Sequence, residues 1–224
     1  MVLGDSHVRY FRKARENGYF HGRIVSVCEV RGATAVGMRN PKSKSDALRT
    51  FRRVIAPLPR DSILLIHLGE VDCGYLIWCR AQEYGETIEQ QMTASLAAYD
   101  DFVGELQSLG FTRIILSGAT LPAIADNHAW GEVAMERRQV HASLRERTDL
   151  TLRYNEALRD MATRRGLRYA DITADLLDPE TGVLRPDYRH RDLNDHHLDN
   201  DRAALCWNLT LAPLLIAYDL EAAD

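Results

Sequence analysis

The chain has 224 residues, 46% of them hydrophobic and 27% charged, the make-up of one folded domain with a sizeable core, and this excludes a disordered or collagen-like chain. Its 28 Lys and Arg against 32 Asp and Glu leave a formal net charge of −4, without the basic excess of a dedicated nucleic-acid binder. No apolar run approaches the ~18 residues of a membrane span; the best, residues 209–218, is short and contains Pro213.

In chain order, Val2 and Leu3 form a very short apolar stub, and residues 7–19 read as a helix. Residues 24–30 are a β-branched run. A helix over 46–55 stops before Pro57 and Pro59, and residues 62–68 are a continuous apolar strand. The strongest helix covers 88–109, where Ile88, Met92, Leu96, Tyr99, Phe102, Val103 and Leu106 recur every three or four positions. Thr87 with Gln90 predicts its capping box, and Gly110 its end. A strand begins at 113–116, a helix follows over 150–164 and a strand over 167–171. A last helix runs from Asn200, kinked at Pro213. Continuous apolar strands separated by amphipathic helices predict a parallel sheet covered on both faces. The fold class is therefore a three-layer α/β/α sandwich with five strands, one domain over residues 1–224. The short first strand leaves open a frayed sheet edge or a chain excised from a longer protein.

The opening Met1-Val2-Leu3-Gly4-Asp5 has neither basic region nor signal-peptide core. Cys28, Cys73, Cys79 and Cys206 form no C-x-x-C pair and read as reduced thiols, which points to a cytoplasmic protein.

Long loops at 69–86, 120–148 and 173–195 fall on the rim at the C-terminal strand ends, where open α/β sheets bind ligands. Gly4-Asp5-Ser6-His7 lies between a strand and a helix. A serine there rests at a helix N-terminus, whose dipole and N–H groups favour an alkoxide and an oxyanion, with Gly4 permitting a tight turn. Equally, Asp5 and Ser6 are plain helix caps. In the segment 192–199, a histidine near the C-terminus suits a general base for a serine far earlier, with a carboxylate on the same loop to fix its tautomer. Taken alone, that segment reads rather as a solvated cap on the last helix. Gly69, Glu70, Val71, Asp72, Cys73 and Gly74 suit a site loop or an ordinary turn, and Arg31 to Gly37 either exposes a backbone N–H or merely turns the chain. His67 reads as a satisfied core histidine. Tyr75 and Trp78 line a pocket or pack their loop. Arg39, Lys42 and Lys44 read as a solvated basic face, and Glu132, Arg137 and Arg138 in the 120–148 insertion carry no motif.

The order of these segments resembles the SGNH/GDSL superfamily of serine hydrolases, esterases and lipases among them, over nearly the whole chain and as a divergent member. The resemblance implies a sheet in the flavodoxin-like order 2-1-3-4-5. It also implies hydrolysis of an O-acyl or other small acyl ester through a Ser-His(-Asp) acyl-enzyme, with no metal and no cofactor. Ser6 then matches the nucleophile and, through its own N–H, one oxyanion donor. Gly32 matches a second backbone donor, Gly69 and Asp72 the ends of the third block, and His197 the base.

Two positions depart from the pattern. The amide donor of the third block is replaced by Val71, and losing one such donor typically costs about 10²–10³ in kcat unless a backbone N–H from residues 71–74 replaces it. The carboxylate expected three residues before His197 is Asn194, and an amide there costs roughly 10⁴ through the wrong tautomer. Asp195 is favoured in its stead over Asp192, and His196 is the alternative base, with His197 then structural. The expected partner is a small-molecule or glycan acyl ester, with no nucleic acid and no membrane span; the oligomeric state stays open. Rival readings are a non-catalytic or acyl-transferring domain on the same fold, and a metal-dependent hydrolase drawing on Asp5, His7, Asp72, His196 and His197.

Overall fold

A computed structural model describes residues 1–20, 22–126, 140–192 and 194–221. Its sheet has five parallel strands in the order β2-β1-β3-β4-β5, as the resemblance implies: β1 Val2–Gly4, β2 Val27–Glu29, β3 Leu64–His67, β4 Ile114–Ser117 and β5 Arg168–Ala170. Strands β3 and β4 are buried at every residue, which is why their sequences are continuously apolar rather than alternating. Strand β1 is interior and is no frayed edge, since Leu3 pairs with Cys28 on one side and Ile66 on the other.

One face of the sheet is covered by α2 Ala47–Ile55, α3 Ile77–Tyr84, α4 Ile88–Ser108 and α5 Leu144–Arg164. Phe51, Phe102, Leu106, Tyr154 and Leu158 are the bulk of that core. The other face is covered by α1 Arg9–Glu16, the short α6 Thr173–Leu176 and α7 Asn200–Glu221, with Phe11 against Trp207 at 5.1 Å between ring centroids.

The predicted elements hold with shifted ends, and two differ in kind. The capping box of α4 is present, with Thr87 Oγ1 accepting from Gln90 N at 3.1 Å and Thr87 N donating back to Gln90 Oε1 at 2.8 Å. Helix α5 starts at Leu144, six residues before its periodicity predicts, because Ser143 and Glu146 make a second capping box. The stretch after β3 is no long loop: it turns helical at Glu70, widens into a π-helical turn over Asp72–Leu76 and continues as α3. Cys73, Ile77 and Ala81 are its buried apolar residues. Trp78 packs this turn by donating to the Cys73 carbonyl at 2.7 Å. Helix α7, read from sequence as too short for a span, is by length and composition apolar enough to cross a membrane. Ala203, Trp207 and Leu211 on one of its sides are built into the second core. Glu132, Arg137 and Arg138 lie outside the described residues.

Candidate active site

Strand β1 delivers the chain to the C-terminal rim at Gly4. A Cβ there would stand 2.0 Å from the His67 carbonyl oxygen and 2.6 Å from Val8 Cγ1. Glycine is thus required by the close approach of β3, and not, as the sequence suggests, by a tight turn. Asp5 follows, buried, and caps a 3-10 turn over Ser6–Val8. Its Oδ1 accepts from His7 N at 2.8 Å and lies 2.9 Å from His7 Nδ1. Ser6 is the first residue of that turn and is partly exposed, while His7 is buried.

The loop before α7 repeats this geometry. Asp195 Oδ1 accepts from His197 N at 3.0 Å and lies 2.5 Å from His197 Nδ1. Leu198 N donates to Tyr10 Oη at 2.9 Å, which ties the loop to α1. Arg9 donates to Asp195 Oδ2 at 3.0 Å. The carboxylate paired with His197 is thus Asp195, two residues before it. Asn194 is exposed and turned away, with its N and Nδ2 donating to Asp192 Oδ1 at 3.0 and 3.2 Å. Asp192 therefore caps a turn of its own and does not reach the imidazole.

Two groups meet Nδ1: Asp195 Oδ1 at 2.5 Å and the donor-only Arg9 Nη1 at 3.0 Å. The closer carboxylate selects the tautomer protonated at Nδ1, because two lone pairs at 2.5 Å repel, and Arg9 keeps its own bond to Asp195 Oδ2. Nε2 then carries a lone pair, and that atom is buried with no hydrogen-bond partner among the described residues. Burial, followed by the neighbouring His7 and His196 rings, pushes the His197 pKa well below its usual range, against the pull of Asp195. Burial raises Asp195, but the hydrogen bonds from His197 outweigh it and hold the carboxyl below its ordinary range. At neutral pH the pair is a neutral imidazole beside a carboxylate. His196 is half-buried and stacks on His197 at 4.0 Å between centroids, and His7 lies 4.7 Å from His197 on the same measure. Ser6 Oγ makes no hydrogen bond with a described residue.

The other two segments flank this cluster. Gly32 sits exposed at φ +67° in the loop after β2, with open space around its α-carbon. Gly69, at φ +119°, opens the segment after β3, where a Cβ would stand 2.9 Å from both Ala119 and Tyr154. Val71 is half-buried in the first turn of the helical segment that begins at Glu70. Cys73 N donates to the Gly69 carbonyl at 2.8 Å, so the N–H groups of residues 70–72 precede the first intrahelical donor. Asp72 is fully buried and holds the two loops together. Its carboxylate accepts from Ala35 N at 2.7 Å, Val36 N at 3.2 Å and Ser95 Oγ at 2.8 Å. Burial raises its pKa, partly offset by those hydrogen bonds. With both oxygens engaged, Asp72 is a structural staple and not a metal ligand.

Arg9 and Tyr10 carry no signal in the sequence, where Asp5 reads as a helix cap or a metal ligand and His7 as a metal ligand. Glu70, also buried, has Oε2 3.9 Å from His7 Nδ1. The signal that finds this half of the cluster is a repeated spacing: Asp5-Ser6-His7 and Asp195-His196-His197 are both D-x-H. In each, the aspartate accepts from the backbone of the histidine and lies within hydrogen-bond distance of its ring.

No protein-family model matches the sequence, and no curated protein does. Solved structures match in fold. A GDSL-like lipase from Bacteroides thetaiotaomicron superposes with a TM-score of 0.63 at 14% identity, covering 96% of this chain and 86% of the lipase. An acetyl xylan esterase gives 0.57 at 14%, covering 94% and 97%. The OSK domain of Drosophila Oskar gives 0.56 at 16%, covering 94% and 86%. The chain therefore has the fold of GDSL-like hydrolases.

Proposed function

We propose that the protein hydrolyses carboxylic esters of a small-molecule or glycan alcohol through Ser6, His197 and Asp195. The observation that carries the reading is the His197 imidazole. Asp195 fixes its tautomer, its Nε2 lone pair is buried and unused, and it stands on the same sheet rim as a partly exposed serine. That is the constellation of nucleophile, base and orienting carboxylate. Fold likeness to an esterase and a lipase supports it.

In this scheme Ser6 Oγ attacks the ester carbonyl as His197 Nε2 takes its proton. The tetrahedral oxyanion accepts from backbone N–H groups of Ser6 and Gly32. The helix start at residues 70–72 supplies the donor that the Val71 side chain cannot. Collapse expels the alcohol, which leaves with the proton from His197, and water repeats the sequence on the acyl-enzyme. Arg9 is a positioning residue: its bond to Asp195 Oδ2 leaves Oδ1 aimed at His197. The missing Ser6–His197 hydrogen bond fits the looseness of ligand-free sites, where such contacts close only around substrate.

The test is covalent labelling by a fluorophosphonate. The wild-type chain is labelled at Ser6, and Ser6→Ala abolishes labelling and lowers turnover of an activated ester by about 10⁴ or more with an unchanged circular dichroism spectrum. Labelling that survives Ser6→Ala places the nucleophile elsewhere. A wild-type chain that is never labelled supports the non-catalytic reading, which the unbonded Ser6 hydroxyl favours.

A further inference from the structure

We propose that His7, His196 and His197 together form a binding site for a divalent transition-metal ion of the Zn²⁺ type, lying over the base of the serine site. One ring nitrogen from each of the three lies within 4.8 Å of the others. Zinc holds imidazole nitrogens at ~2.0–2.1 Å in a tetrahedral array, which spaces them by about 3.3 Å. Modest turning of the rings closes the remaining gap, and half-buried His196 has the most freedom to turn.

Three further observations point to a cation. The first is the pair of carboxylates behind the rings, with Asp5 on Nδ1 of His7 and Asp195 on Nδ1 of His197. Carboxylate–histidine–metal is the arrangement that fixes the tautomer of a ligating histidine, orients its ring and raises its basicity. The second is the buried His197 Nε2, which no described residue satisfies. The third is charge: Asp5, Glu70 and Asp195 lie against the rings, and among the described residues the Arg9 guanidinium pairs with one of them, so a dication meets an excess of carboxylate. Three imidazoles with a position left for solvent is a common ligand set for zinc. Asp72, the other carboxylate in the rival metal reading, takes no part.

The ion and the serine chemistry compete for one lone pair. Bound metal occupies the histidine that would accept the Ser6 proton, so metal acts as a reversible inhibitor. That consequence rests on the proposed hydrolase reading; the binding itself does not.

The experiment is calorimetric titration of Zn²⁺ into the untagged 224-residue chain stripped with EDTA. One ion per chain is expected. His196→Ala and His7→Gln each weaken binding at least 10²-fold, and Asp5→Asn weakens it about 10–100-fold, the usual cost of removing an outer-sphere partner. Circular dichroism controls for folding, and His196→Ala carries the test should His7→Gln not fold. Absence of stoichiometric uptake, or the same affinity in His196→Ala, overturns the proposal. Protein that takes up Zn²⁺ but, when stripped with EDTA, is never labelled by the fluorophosphonate supports the metal site and sinks the hydrolase reading alone. Labelled protein that takes up no Zn²⁺ does the reverse.

Discussion

His67 and His197 are both buried histidines on the same side of the molecule, and they are held in opposite ways. His67, at the end of β3, has Nδ1 2.7 Å from Ser117 Oγ and Nε2 3.2 Å from Thr120 Oγ1. Both nitrogens meet neutral hydroxyls, Phe11 and Trp207 pack their rings edge-on, and burial pushes its pKa down to about 4. His197 has one nitrogen on a carboxylate and the other on nothing described. A buried polar group with every bond made is part of the scaffold. One left half-made is either a cost the fold tolerates or a hand held out to a ligand. The proposed function takes the second course, with the partly buried Asp195 as the carboxylate that orients the ring.

The contrast breaks first at Asp195. Asp195→Asn is expected to lower kcat on an activated ester by about 10⁴, the effect of a wrong tautomer, while thermal unfolding shifts little. A loss below tenfold, measured by steady-state kinetics, would make His197 as structural as His67. Next in size is Val71→Asn. If residue 71 faces the reacting carbonyl, a new amide donor raises kcat on a generic ester, by as much as about 10²-fold. On the natural substrate the same change is expected to lower activity, because the valine then packs against its acyl group. Equal rates on both substrates would move position 71 away from the site.

The smallest effect belongs to His67 and is one of stability. Above pH 6.5 neither the folded nor the unfolded chain charges this ring. Between 6.5 and about 4 only the unfolded chain binds the proton, so stability falls with pH and the loss saturates below about 4. The full loss is of order 3 kcal/mol. Urea unfolding at pH 7, 5 and 4 measures it, and His67→Gln is expected to flatten the slope by about that amount. His197, also held below its usual range, supplies part of the slope that remains.

How far the sequence could be read follows from where each signal lives. Helix α4 was plain because its stripe and its cap are local. Helix α3 was hidden because Gly74 and a π-turn interrupt the 3.6-residue period just where the helix begins. Sheet order came through resemblance alone, since no local pattern tells β3 to lie beside β1. Within the site, Asp195 beside His197 was legible as a one-residue shift. The facing pair Asp5 and His7 was not, because its meaning depends on a loop some 190 residues later in the chain folding onto it. Arg9 was invisible for the same reason: its partner is a long-range one.

Asp72 is a single carboxylate bound into two loops, and its effect reaches past the bonds it makes. The loop after β2 and the helical start after β3 have no free choice of their relative position once Ala35 and Val36 donate to it. Ordering entropy for these segments is spent when the chain folds, so none is left to be lost when a substrate arrives. In the proposed reaction, backbone donors on the two loops would meet a developing charge as one rigid receptor, and a change in one loop would be felt in the other without any contact between the donors themselves.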